Sequence, residues 1–304
     1  MTFDTILLFR DIVASRSFSR AAKMSGISQS AASQQIQELE RSLKVSLLDR
    51  TRRPLVVTAA GELVAAFCED LLKRRQELDV ALAGLRDAIE GTVRIASIYS
   101  IGISELVHLE KQFRDQHPQV EVVTKYLQPA KVNAAVLGGQ ADIGLVSYPE
   151  ATPELIATPW RKEDMVVAAA PDHPLAKVAA SLQAPLPVEE LNGIDFIGFD
   201  EELPIGRHVE RFFKEKGVKV NVTLRFDNIE MVKEAVAHKV GVGILPYRSM
   251  REDIRQKRLT AIRLAGGGLQ RPIGVIRLKK NKLSKASQAF LDLLMDQKTA
   301  ETVG

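Results

Sequence analysis

The chain has 304 residues, 45% of them hydrophobic and 26% charged, with a formal net charge of +4. These values fit a globular protein of two or three domains. No apolar run approaches the roughly 18 residues of a membrane span, and the single cysteine, Cys68, excludes an intrachain disulfide. The opening residues, MTFDTILLFRDIVASR, lack a basic leader, and charged residues interrupt their apolar part. A cytoplasmic location is therefore expected. The charge is unevenly placed: residues 1–57 hold nine Lys/Arg against five Asp/Glu, whereas residues 58–304 hold thirty-three of each. A small basic segment beside a neutral remainder points to a polyanion partner for the basic part.

Phe3, Ile6, Leu7, Phe9, Ile12 and Val13 recur at helical spacing and predict a first helix over 4–15. Ser17 is placed to cap a second helix, whose apolar side is Phe18, Ala21, Ala22 and Met24. Gly26 ends it, Ile27 turns inward, and Ser28 caps a third. In that third helix Ala32, Ile36, Leu39 and Leu43 form one stripe, with Ser30, Gln34, Gln37 and Arg41 opposite and Ser33 beside them. A solvated helix face normally carries Glu and Lys, yet the first two turns avoid both. Two short helices around a Gly-containing turn make a helix-turn-helix, whose second helix enters the DNA major groove by its N-terminal end. Gln29, Ser30, Ser33, Gln34 and Gln37 lie there. Glutamine matches the adenine edge and serine serves several bases. Arg41, further along, is placed for phosphate. Val45–Leu48 and Leu55–Val57 predict a short hairpin, and its tip carries Arg50, Arg52 and Arg53, suited to phosphate or the minor groove.

These residues resemble the LysR-type transcriptional regulators. The match runs from Leu8 and Phe9 through SFSRAA, ISQSAASQQIQELERSL, LLDRTRRP and TAAGE. It departs at Ser30, Ala32, Lys44 and Leu48, where proline, valine, glycine and phenylalanine are usual in the family. Lys44 then has to take a left-handed turn at a cost of about 1 kcal/mol. The resemblance implies a winged helix-turn-helix over residues 1–57, binding double-stranded promoter DNA, followed by a linker helix over 58–90 through which members dimerise. Thr58 is placed to cap that helix and Glu62 lies in its first turn. Leu63, Phe67, Leu71, Leu78, Leu82, Leu85 and Ile89 form a seam that Arg74 and Arg75 interrupt and Gly91 stops. Either the rest of the chain or a second copy of the helix covers it; the resemblance favours the copy. It also implies a promoter-bound homotetramer that bends DNA and contacts RNA polymerase.

From Thr92 strands alternate with helices: VRIASI, then ISELVHLEKQFRDQH, VEVVTKYL, PAKVNAAVLGGQ and ADIGLVS. The alternation recurs in DFIGFD, GRHVERFFKEKG, VNVTLRFD, NIEMVKEAVAHKVG and VGILP. This predicts a parallel α/β sheet in two subdomains with a cleft between them. The strand RPIGVIRLKK returns to the first subdomain before a last helix over 284–297. The fold class expected is thus α+β overall, with the 91–304 region resembling periplasmic solute-binding proteins: subdomain I over 92–163 and 268–304, subdomain II over 164–267. Ligands in such sheets sit beyond the carboxyl ends of strands, which marks Tyr99, Ser100, Ile101, Ser147, Tyr148, Asp200, Arg207 and Asn228. Helix starts there favour a small polar or anionic molecule; Ser100 and Asn228 read equally as helix caps. No cofactor is expected, and the five histidines show no metal-ligand spacing. GVGILP lacks the third glycine of a dinucleotide fingerprint, and GGG at 266–268 lacks the Lys-Ser/Thr of a P-loop. No serine lies in a nucleophile elbow. A regulator, not an enzyme, is the leading reading. A small-molecule receptor without a transcriptional role is the alternative.

Overall fold

The structure, a computed structural model, describes residues 2–51, 55–84, 89–101, 106–182, 184–266 and 268–300. The chain divides into two compact units, residues 1–85 and 86–304.

The first unit holds α1 (Phe3–Ser15), α2 (Phe18–Met24), α3 (Gln29–Leu43), β1 (Leu48–Asp49), β2 (Val56–Val57) and α4 (Ala59–Gly84). Three helix starts are capped as their residue types dictate. Thr2 Oγ1 accepts from the Thr5 N–H, Ser17 Oγ from Arg20, and Ser28 Oγ from Ala31. Between α2 and α3 the chain reverses through Gly26 at φ +66°, and the Ile27 N–H closes back on the Ala22 carbonyl. Ile27 is only partly buried, and Met24 and Leu43, expected in the core, are exposed. They sit in the last turns of their helices, beyond the reach of the packed stripe. The core is Leu8, Phe9, Ile12, Ala21, Ala22, Ala32, Ile36 and Leu39, closed by Leu47, Leu48, Val57 and Cys68. The hairpin is shorter than expected, pairing Leu48 with Val57 and Asp49 with Val56, and Val45 is exposed.

Lys44 ends α3 at φ 55°, the left-handed turn that its replacement of the family's glycine requires. Gly61, near the start of α4, passes so close to the backbone leading into β1 that an added Cβ would lie 2.1 Å from the Leu47 carbonyl oxygen. Thr58 Oγ1 accepts from the Gly61 N–H at 3.0 Å, which fixes the helix start. Glu62 lies in its first turn.

The second unit opens with β3 (Gly91–Ile98), the turn α5 (Tyr99–Ile101), α6 (Val107–Gln116), β4 (Val120–Leu127), α7 (Pro129–Leu137) and β5 (Ile143–Ser147). The long β6 (Leu155–Ala169) and α8 (Pro174–Leu182) follow, then β7 (Asp195–Phe199), α9 (Pro204–Lys216), β8 (Asn221–Phe226), α10 (Ile229–Ala237) and β9 (Gly243–Pro246). The chain closes with α11 (Arg251–Arg255), β10 (Thr260–Ile262), β11 (Leu269–Leu278) and α12 (Lys285–Ala300). The sheet is mixed, which corrects the all-parallel expectation. β3 pairs in parallel with β4 and β5, but β11 runs antiparallel to β5 and β6, and β6 antiparallel to β9 and β10. The sequence reading had no element between Tyr148 and Asp195. Pro159 and the run Arg161–Asp164 disguise β6 there as a loop.

Two cores occupy this unit. One holds Val93, Ile95, Phe113, Leu145, Trp160, Ile273 and Phe290; the other Met165, Ile197, Phe213, Val232, Leu245 and Leu269. The division falls inside β6, between Trp160 and Met165, and inside β11, between Leu269 and Ile273. Both strands therefore serve both subdomains.

Replacing Lys44 with Gly relieves the left-handed strain, and urea unfolding of the first unit is expected to show a gain of about 0.5–1 kcal/mol. A loss would mean that the lysine side chain holds this turn.

Candidate DNA-binding face and effector cleft

The stripe Ala32, Ile36 and Leu39 seats α3 in the core, so its opposite face points outward. Gln29, Ser30, Gln34, Gln37 and Arg41 are all exposed, and Ser33 is half-buried. Among the described residues, Gln34, Gln37 and Arg41 carry no side-chain hydrogen bond within the chain. Ser19 Oγ donates to Gln29 Oε1 at 2.8 Å, and Ser28 and Ser30 share a bond of 2.9 Å. The front of the helix is thereby ordered while its middle remains available. Arg50 behaves differently from a free wing arginine. Its Nη1 donates to Ser33 Oγ at 3.0 Å, its Nη2 to Glu40 Oε2 at 2.9 Å, and its guanidinium lies 5.0 Å over the Phe18 ring. Glu40 Oε1 also accepts from the N–H groups of Leu47 and Leu48. Glu40 thus binds the wing strand to the back of α3, a link the sequence reading missed. Glu40 lies outside the polar face and offered no periodic signal. Arg52 and Arg53 lie outside the described residues.

On α4, Val64, Cys68, Leu71 and Leu72 turn toward the helix-turn-helix core. Leu63, Phe67 and Leu78 are instead 76%, 52% and 53% exposed. The expected seam therefore divides: Leu71 belongs to the core and Ile89 packs into the second unit. Leu85 and the Leu82 side chain lie outside the described residues. Burial, aided by the Glu69 charge, pushes the Cys68 thiol up, so it is a poor thiolate.

In the second unit a cleft of about 500 Å³ lies between the subdomains. Subdomain I contributes Gln128, Pro129, Asn133, Ser147, Tyr148 and Glu150; subdomain II contributes Asp200, Glu202, Pro204, Arg207 and Asp227. The starts of α7 and α9 face it, each with Pro at the first helical position and no side-chain cap. Unbonded N–H groups at such ends attract negative charge. Gln128 Nε2 donates to Asp227 Oδ2 at 3.1 Å across the gap. Arg207 Nη1 is turned onto the Glu202 carbonyl at 2.6 Å.

Ser147, Tyr148, Asp200 and Arg207 are therefore brought together. Asn228 caps α10, accepting from the Met231 N–H at 2.9 Å, and lies outside the cleft lining. Ile101 is buried in the first core, so its side chain is structural. Tyr99 is exposed. Ser100 accepts from Arg271 Nη1 at 2.9 Å. Tyr148 sits at φ 53°, its ring 4.9 Å from that of His208, and among the described residues its buried hydroxyl has no hydrogen-bond partner. Burial pushes that phenol up, Arg271 opposing and Glu163 adding.

Glu163 is a residue the sequence reading passed over. Arg271 Nε donates to its Oε2 at 3.0 Å and Arg161 Nη2 to its Oε1 at 2.7 Å. Burial opposes its ionisation, but the two guanidinium groups outweigh burial and hold the carboxyl below its usual range. Among the described residues, no group of three or more His, Cys, Asp or Glu could hold a metal ion. No described helix is long and apolar enough to cross a membrane.

Residues 3–62 match the family "Bacterial regulatory helix-turn-helix protein, lysR family", and residues 86–299 match the "LysR substrate binding domain". The chain is 28% identical over 292 residues to the HTH-type transcriptional regulator YeiE of Escherichia coli (strain K12), covering 96% of each. It superposes on full-length CbnR complexed with its target DNA with a TM-score of 0.69 at 19% identity, covering 98% of this chain and 100% of CbnR. The CcmR regulatory domain of Synechocystis PCC6803, in complex with 2-PG, is 25% identical with a TM-score of 0.63, covering 70% of this chain and 99% of that domain. The chain belongs to the LysR family: it is a DNA-binding transcriptional regulator with an effector-binding domain.

Glu163 contributes stability in full above its unfolded pKa of about 4.3. The contribution is lost as pH falls through its lower folded value. Replacing it with Gln removes the buried charge that Arg161 and Arg271 share and is expected to cost about 3–5 kcal/mol at neutral pH. Urea unfolding of the second unit across pH 3–7 checks this: the variant is expected to lose the acid dependence along with the stability. An unchanged acid limb would place that dependence elsewhere.

Proposed function

We propose that this regulator reads its operator through the exposed face of α3, holds phosphates with the wing, and changes its hold on DNA when a small molecule fills the cleft of the second unit. The observation that carries the DNA reading is the outward face of α3: polar, short, and unpaired at Gln34, Gln37 and Arg41. Gln29, Ser30 and Ser33 contribute from the leading turn, and Arg52 and Arg53 from the wing tip. Arg50, held by Ser33 and Glu40, sets the wing against α3 and counts as a phosphate contact only if DNA draws it away.

The effector reading rests on Ser147, Tyr148, Asp200 and Arg207 meeting in one cleft. Arg207 and the uncapped helix starts suit an anionic group. Glu150, Asp200, Glu202 and Asp227 suit hydroxyl or amine donors on the same molecule. Such a ligand prefers one subdomain angle and shifts the population toward it. The domain boundaries proposed are 1–57, 58–90 and 91–304, with the subdomains exchanging near 163 and 268. No catalytic step enters this reading. A cytoplasmic protein in contact with RNA polymerase on a bent promoter completes it.

The exposed Leu63, Phe67 and Leu78 fit a second copy of α4, giving a homodimer that pairs again into a homotetramer. Phe67→Glu places a charge in that stripe. Sedimentation is expected to show a shift to a smaller species without loss of the helix-turn-helix fold; unchanged mass would assign the stripe elsewhere.

The base-reading claim is tested by two substitutions in gel-shift titrations. Gln34→Ala is expected to cost about 1–3 kcal/mol on the operator and almost nothing on random DNA. Arg53→Ala is expected to weaken both and flatten the salt slope by about one unit. Equal losses on both DNAs for Gln34→Ala would remove it from base readout.

A further inference from the structure

The faces of β6 and β11 change character where the two cores meet. Leu269 stands opposite Met165 in the second core, Arg271 opposite Glu163 at the junction, and Ile273 opposite Arg161 next to the first core. An ion pair whose two side chains are each 2% exposed thus replaces apolar packing at the one level where both strands pass between subdomains. Such a pair is directional where apolar packing is not. It binds the strands to each other in one register at the pivot.

The pair also reaches outward. Arg271 gives Nε and Nη2 to Glu163 but sends Nη1 to Ser100, in the turn α5 that follows β3 in subdomain I. The Tyr148 N–H donates to the carbonyl of the next residue, Pro272, at 2.8 Å, while its ring packs on the second core. Arg161, the other partner of Glu163, lies 4.2 Å over Trp160. A continuous set of contacts therefore runs from Ser100 through Arg271 and Glu163 to both shared strands.

We propose that Arg271 is a positioning residue of the effector response: it ties the Ser100 hydroxyl to the subdomain pivot, so that what happens at Ser100 is felt as a change of subdomain angle. Ser100 uses its oxygen to accept from Arg271, which leaves its O–H to donate. The position is thereby set to meet an acceptor oxygen, as on a carboxylate, phosphate or carbonyl. A hydrogen bond made there strengthens the one from Arg271, because a hydroxyl that donates becomes a better acceptor. This draws the guanidinium toward Ser100 and away from Glu163. The inference rests on the cleft reading for its biological meaning, but the linkage itself is a property of the ligand-free chain.

Paired spin labels on the full chain test it without any effector. The labels go on Lys131→Cys in α7 and Arg211→Cys in α9, two exposed positions in opposite subdomains, with Cys68→Ala as background. Ser100→Ala is expected to shift or broaden the label distance by a few ångströms while the melting temperature stays near wild type. Arg271→Lys, which keeps the charge but cannot span both partners, is expected to move it in the same direction. Adding Ser100→Ala to Arg271→Lys is expected to change nothing more, because the route runs through the guanidinium. A wild-type distance distribution in Ser100→Ala, or additive shifts in the double variant, would overturn the proposal. If Arg271→Lys does not fold, the Ser100→Ala result decides alone. A cleft that binds nothing shows itself separately, as an absence of ligand-induced melting shifts, and leaves this result unaffected.

Discussion

Two strands belong to two cores. β6 and β11 pair side by side, and each is packed by one subdomain at one end and by the other subdomain at the other. Neither subdomain can turn without twisting these strands, and neither can separate without breaking them. The cleft exists because the chain crosses twice at this place and nowhere nearby. Its walls are the carboxyl ends of strands and the starts of helices that the crossing brings face to face. The buried Arg271–Glu163 pair sits where the two cores meet, so the junction is held by a directional contact and not by volume filling alone.

The first unit solves a different problem with the same economy. A fifteen-residue helix has to be rigid and yet present a bare polar face. Its apolar stripe is short, so the helix is secured from behind by other means: a serine cap at its start, a left-handed lysine at its end, and Glu40 gripping the wing backbone. Each fixes α3 without occupying Gln34, Gln37 or Arg41. α4 then closes the core with one face and leaves Leu63 and Phe67 outside. An exposed leucine and phenylalanine one turn apart on a rigid helix form a surface that a second copy can cover.

Much of this was legible in the residues. The caps at Ser17, Ser28 and Thr58, the Gly26 reversal, the strained Lys44 and the strand β4 follow from local chemistry, and local chemistry is what a sequence displays. What stayed hidden depended on tertiary placement. β6 was invisible because its middle is charged; of that run only Glu163 is buried, and only because Arg271 of β11 arrives opposite it from more than a hundred residues away. Glu163 and Arg271 looked like surface residues for the same reason. Leu43 and Met24 looked like core residues because periodicity does not show where a neighbouring helix ends. The rule of strand ends leads to Ser147, Tyr148, Asp200 and Arg207, and these four line one cleft. Ile101 is instead buried in the first core, and Asn228 caps α10, the other role its position offered.

The central claim is that the bare face of α3 makes this chain a sequence-specific DNA-binding protein. The most direct measurement is a gel-shift titration of the full chain on the intergenic DNA upstream of its own gene, with random DNA of equal length as competitor, at fixed salt. The account predicts retardation in one or two discrete steps and a preference of about 10³-fold or more over the competitor. Equal affinity for the two DNAs, with the same salt slope, would contradict it, because phosphate contacts alone would then account for all the binding.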